Sequence, residues 1–143
     1  HNLPYILIHE YGHYISLKDA TIKPASNGIG IEKEVSGGKL LQDFIVDGIR
    51  YIAGEFENID KDKHYLFYAR HKDDYVSKYA ATNVLDDFAE SFAHFVAGVS
   101  FHSEVLNRKM NFFSSRPELV ETKNQILNNM KAKDMGNIVI ATE

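Results

Sequence analysis

Apolar residues along the chain recur mostly at helical rather than strand spacing. Near the start, Leu3, Ile6, Leu7, Tyr14, Ile15 and Leu17 flank a stretch with Asn2 as its cap and Pro4 in its first turn, which predicts a core helix ending at about Leu17 or Lys18. Residues Asp19 to Gly38 carry Lys23-Pro-Ala-Ser-Asn-Gly and Ser36-Gly-Gly, which is turn chemistry, and read as a long loop. From Lys39 to about Phe56, Leu40, Leu41, Phe44, Ile45, Ile49, Ile52, Ala53 and Phe56 form a helical stripe. Asp47-Gly48 inside it is a competing hairpin signal, and the stripe favours a helix kinked at Gly48. Asp60 to Ser77 mixes charge with aromatic residues, as in helical turns joined by loop.

A stronger helix opens at Thr82 or Asn83, where Val84, Leu85, Phe88, Phe92, Phe95, Val96 and Val99 keep period and Asp86 and Asp87 suit the positive helix end. A short helix over about Glu104 to Phe112 follows. Another begins beyond Ser114 or Ser115, with Pro117 in its first turn, and runs to about Lys133. Asn137 to Ala141 is a tail or lone strand. The prediction is a mainly α fold, one domain over residues 1–143, with four to five helices around the first.

Composition narrows the classes. The 143 residues suffice for one domain, and 44 % hydrophobic with 25 % charged residues is an ordinary globular balance. A net charge of −4 without a basic stripe gives no reason to expect a nucleic-acid partner. Cysteine is absent, which removes disulfides, thiolate metal sites and thiol nucleophiles together. No apolar run reaches membrane-spanning length. No feature of the pattern specifies an oligomeric state. The chain opens at His1 without Met, which predicts a processed piece or fragment of a longer protein.

The chemistry concentrates in His9-Glu10-Tyr11-Gly12-His13, an H-E-x-x-H match. Residues four apart share a helix face, so His9 and His13 can close on one Zn²⁺ ion. Glu10, one residue on from His9, can reach a water activated by that metal and act as general base. A third ligand has three sources. Asp19 would continue a metzincin-like run, but that route needs a glycine where Ser16 stands. Asp86 and Glu90, four apart with His94 four further on, line one face of the later helix. One of the two acids can bind metal while the other orients a ligand histidine. Tyr79, seven residues before Asp86, can either lean over the metal as a hydrogen-bond donor or pack on the core. His64 and His71 are weaker candidates for the cleft.

Two blocks, His9-Glu-Tyr-Gly-His13 and Tyr79-Ala-Ala-Thr-Asn-Val-Leu-Asp-Asp-Phe-Ala-Glu-Ser-Phe92, resemble the catalytic domain of anthrax lethal factor and its relatives, including the bacterial Pro-Pro endopeptidases. Tyr79, Thr82, Asn83, Phe88, Ala89, Glu90 and Phe92 fall in step with that group's pattern. The resemblance implies a gluzincin-like, zincin-type zinc endopeptidase acting on a peptide or protein substrate, secreted or at the cell surface. It places the metal-binding acid on Asp86, where the group has Glu, the second acid on Glu90 and an oxyanion-stabilising tyrosine on Tyr79. Either acid remains open as the ligand, because Asp is one methylene shorter. The sheet that usually precedes the zinc helix in such peptidases has no counterpart before His9, which leaves a second expectation: an inactive zinc-binding or interaction domain of a larger toxin-like protein. Peptide deformylase shares only the H-E-x-x-H motif and needs a Cys ligand that this chain lacks.

Overall fold

A computed structural model describes residues 3–18, 21–24, 33–36, 38–49 and 61–140. Among the described residues lie six α-helices, α1 (Leu3–Leu17), α2 (Lys39–Phe44), α3 (Lys61–Arg70), α4 (Val84–Ala97), α5 (Glu104–Ser114) and α6 (Pro117–Ala132), and one two-stranded sheet of β1 (Thr21–Pro24) and β2 (Lys33–Ser36). The fold is mainly helical, as the spacing predicts.

Helix α4 is the centre. Every residue from Asp86 to Val96 is buried, so this helix is covered all round by α1, α2, α5 and α6. Its ends are specified locally. The Asn83 side chain accepts from the Asp86 N–H at 2.9 Å, and Gly98 takes the left-handed conformation (φ 77°) that closes the last turn.

Six phenylalanines fill the space below α4: Phe44 of α2, Phe88, Phe92 and Phe95 of α4, and Phe112 and Phe113 of α5. Phe113 joins them. Its ring lies 5.4 Å from Phe88 and Phe95, 5.7 Å from Phe44 and 5.8 Å from Phe92. Edge and offset contacts at such distances add to the apolar area each ring removes from water.

Several expectations change. The apolar flanks of α1 are not its buried face: Leu3, Ile6, Leu7 and Tyr14 are exposed, while Pro4, Tyr5, Ile8, His9, Gly12 and Ser16 face inward. The long loop contains an antiparallel pair, with Thr21 opposite Ser36 and Ile22 opposite Val35. Strands of four residues are too short for alternation to register, although Thr21, Ile22 and Val35 have the β-branched preference. The stripe from Lys39 holds as α2 and then widens into a π-helical turn over Ile45–Ile49, so Asp47-Gly48 sits in helical geometry and not in a hairpin. Its extension to Phe56 lies outside the described residues, as do Asn2 and Asp19.

Residues 61–70 form one helix in place of mixed turns. Ser115 ends α5, and α6 starts from Arg116 without a side-chain cap, relying on Pro117 to set the first turn. Residues 135–140 carry no regular structure, with Ile138 and Ile140 laid against the core.

Replacing Phe113 by Ala removes the ring shared by three helices. It should destabilise the domain by about 3–5 kcal/mol, read from the midpoint of urea unfolding. A change below about 1 kcal/mol would mean that the cluster collapses to fill the space.

Candidate metal centre

The centre forms where α1 crosses α4. Gly12 faces Ala89 so closely that a Cβ on Gly12 would lie 2.9 Å from the Ala89 Cα. Only glycine permits this backbone contact. His9 and His13 stand three residues before and one after Gly12; Asp86 and Glu90 hold the same offsets from Ala89. The contact therefore sets how far apart the two pairs stand.

Three of these residues converge. The His13 Nε2 lies 3.1 Å from Asp86 Oδ1, and the His9 Nε2 lies 3.9 Å from the same oxygen. One donor atom from each of the three falls within 4.8 Å of the others. Tetrahedral zinc with bonds of about 2.0–2.1 Å needs neighbouring donors roughly 3.3 Å apart, so this set fits with small adjustments. Two imidazoles and a carboxylate also leave a fourth position open. Asp86 reaches the histidines despite its short side chain because Gly12 lets α4 come close.

Two of the three donors, Asp86 and His9, are aimed by a neighbour. Asn83 donates its Nδ2 to Asp86 Oδ2 at 2.9 Å, leaving Oδ1 for the histidines. Glu90 Oε2 accepts from His9 Nδ1 at 2.8 Å. An ionised carboxylate only accepts, so His9 Nδ1 carries a proton and its Nε2 is turned towards Asp86. The same Oε2 accepts from the Tyr5 hydroxyl, and Oε1 accepts from Ser77 Oγ at 2.8 Å. Glu90 thus stands behind His9, engaged by three donors.

These contacts shift both groups. Burial alone would push the Glu90 carboxyl up, but the bonds from His9, Tyr5 and Ser77 outweigh it and hold the group below its ordinary value. Burial alone would push His9 down. The bond to Glu90 and the charges of Glu90, Asp86 and Glu10 overcome this, and its value is raised.

Tyr79 precedes a 3-10 turn (Ala80–Thr82), with its ring 5.6 Å from the His9 ring. At 54 % exposure it is not a packing tyrosine. The Asp86 charge, then partial burial, then Glu90 and Glu10 raise its hydroxyl above the ordinary phenol range, so it remains a protonated donor. Glu10 is exposed and shares with Tyr5, Ile6, His9, Tyr79 and Glu90 a cleft of about 240 Å³.

The remaining candidates sit elsewhere. His94 donates its Nδ1 to the Glu90 carbonyl at 2.8 Å, one turn below the centre. His71 pairs with Asp74 at 2.9 Å and stacks on Phe67, and neither it nor His64 lines the cleft. The run through Ser16 stays helical to Leu17, without the break that an Asp19 ligand requires. Tyr5, Gly12 and Ser77 were not singled out by the sequence. Tyr5 lies four residues before His9 on the same face, a findable signal, whereas nothing in the sequence marks Ser77.

A scan of family models, a search of curated proteins and a search of solved structures each return no match.

Gly12→Ala should force α1 and α4 apart at the crossing. Zinc affinity is expected to fall about 10–100-fold, the range for lost support around metal ligands, with a lowered melting temperature. Unchanged affinity in a competitive zinc titration would show that the helix contact does not set the ligand spacing.

Proposed function

We propose that this domain is a zinc-dependent endopeptidase. One observation carries the reading: His9, His13 and Asp86 converge on one point, and Glu10 and Tyr79 border the cleft beside it. Both motif blocks of the resemblance to the lethal factor group contribute to that point, which supports a peptide bond as the substrate.

His9 and His13 of α1 and Asp86 of α4 would hold the metal, with Glu90 fixing the His9 ring from behind. A zinc ion bound there would supply Lewis acidity, polarising the scissile carbonyl and acidifying a water. Glu10 takes a proton from the attacking water and delivers it to the departing amine, so the proton balance closes on one carboxylate. The Tyr79 hydroxyl donates to the oxygen that becomes negative as the carbonyl carbon turns tetrahedral. Tyr5 and Ser77 act through Glu90.

A second reading, an inactive zinc-binding or interaction domain of a larger secreted protein, draws on the exposed apolar residues Leu3, Leu7 and Tyr14 of α1.

Glu10→Gln separates the two. The amide keeps the shape but cannot take the proton, so zinc content should stay at one per chain while hydrolysis of a peptide library disappears. Zinc-loaded wild-type protein that cleaves nothing would favour the second reading. In the active enzyme, Tyr79→Phe should lower kcat about 10²–10³-fold with KM and zinc content nearly unchanged, because the lost bond exists only in the transition state. A fully active Phe variant would remove Tyr79 from the mechanism.

A further inference from the structure

The one ion pair that is wholly enclosed among the described residues lies away from the metal centre. Lys109 of α5 and Asp87 of α4 have side-chain exposures of 0 % and 1 %. The Lys109 ammonium donates to Asp87 Oδ1 at 3.1 Å and Oδ2 at 2.9 Å, and to the Asp74 carbonyl. It also lies 4.5 Å above the Tyr75 ring. Its N–H groups are divided between two parts of the molecule: the carboxylate of α4, and the backbone of the segment leading to Tyr79.

That segment is tied elsewhere too: Asp74 pairs with His71, Lys78 lies over the Tyr65 ring, and Tyr75, Ala80 and Ala81 pack with Phe67, Tyr68 and Val76. At its start the Asp73 carbonyl accepts from Ser103 Oγ, at the N-terminus of α5. Further on, Ser77 donates to Glu90 and accepts from the Ala80 N–H at 3.0 Å. Tyr79 lies between Ser77 and the buried Ala80 and Ala81, on the side open to the cleft. An apolar side chain at position 109 could fill the volume but could not bind the Asp74 carbonyl. Burying two charges is a poor way to gain stability alone, because the desolvation penalty rivals the attraction. What the pair adds is a direct bridge from the Asp74 backbone to α4 and α5.

We propose that Lys109 is a positioning residue: its buried ammonium, bridging Asp87 and the Asp74 carbonyl, holds the Ser77–Tyr79 segment in register over the His9–His13–Asp86 centre. This rests on the endopeptidase reading for its catalytic consequence, and on geometry alone for its structural one.

Lys109→Met would strand Asp87 as a buried unpaired charge, so the test is the double variant Lys109→Met/Asp87→Leu, which removes both charges at similar volume. The zinc-loaded variant is expected to keep one zinc per chain. Amide exchange at Ala80, Ala81 and Thr82 should rise at least about tenfold while that of Phe92 in α4 stays as in the wild type. Peptide turnover should show kcat down about tenfold or more with KM changed less than about twofold. Unchanged exchange at residues 80–82, or unchanged kcat despite faster exchange, overturns the proposal. Should the double variant fail to fold, wild-type exchange decides. The amides of 80–82 must then be protected as strongly as those of Phe92 to Val96, and much weaker protection overturns the proposal. A wild-type protein that cleaves no peptide, with exchange as expected, refutes the endopeptidase reading and leaves the Lys109 bridge standing.

Discussion

The contact of Gly12 with Ala89 is the constraint on which the site depends. A helix pair separated by ordinary side chains stands about 8–10 Å apart, and a glycine facing an alanine permits the short end of that range. Of the three converging side chains, that of Asp86 is the shortest. With α1 and α4 this close, an aspartate of the first helical turn meets histidines from the other helix without bending either backbone. The arrangement also places Asp86 at the positive end of α4, where a carboxylate is favoured before any metal arrives.

The polar groups at this crossing form an ordered chain of supports. Asn83 fixes Asp86; Glu90 fixes His9; Tyr5 and Ser77 fix Glu90. Both oxygens of the buried Glu90 carboxylate have donors, which is the condition for burying such a group at all. Because Ser77 comes from the segment ahead of α4 and Tyr5 from α1, three parts of the chain meet on one carboxylate. A carboxylate so placed sets the protonation of His9 as well as its direction. A shift in any of the three would reach His9 through Glu90.

Much of this was legible in the sequence, and the reasons for the remainder are physical. His9, His13, Asp86 and Glu90 were readable because helical periodicity turns spacing into direction, and α1 and α4 are long enough for that rule to hold. The N-terminal cap of α4 was readable from Asn83, whereas the period carried through Val99 and hid the end at Gly98. The β1–β2 pair was not, because four residues give too few alternations to see. Ser77 was hidden because residues 71–79 follow no period, and only tertiary packing aims its hydroxyl at Glu90. Lys109 was hidden for another reason: lysine is almost never fully enclosed, so sequence reasoning assigns it to the surface.

The inverted burial of α1 follows from the same chemistry. A helix in an ordinary core turns its apolar stripe inward, and α1 instead turns in His9, Gly12 and Ser16 beside Tyr5 and Ile8. Leu3, Leu7 and Tyr14 then remain outside, and hydrophobic patterning predicts the wrong face. The inward face is stable because its polar groups are matched: His9 by Glu90, Glu90 by Tyr5, and the Ser16 hydroxyl by the His13 carbonyl at 2.9 Å. Hydrogen bonds at fixed positions replace apolar area that could slide. A sliding interface could not keep His9 Nε2 and His13 Nε2 facing one Asp86 oxygen, whereas a matched polar one has a single register. The features that weaken α1 as a core helix are therefore the ones that hold its two histidines in place.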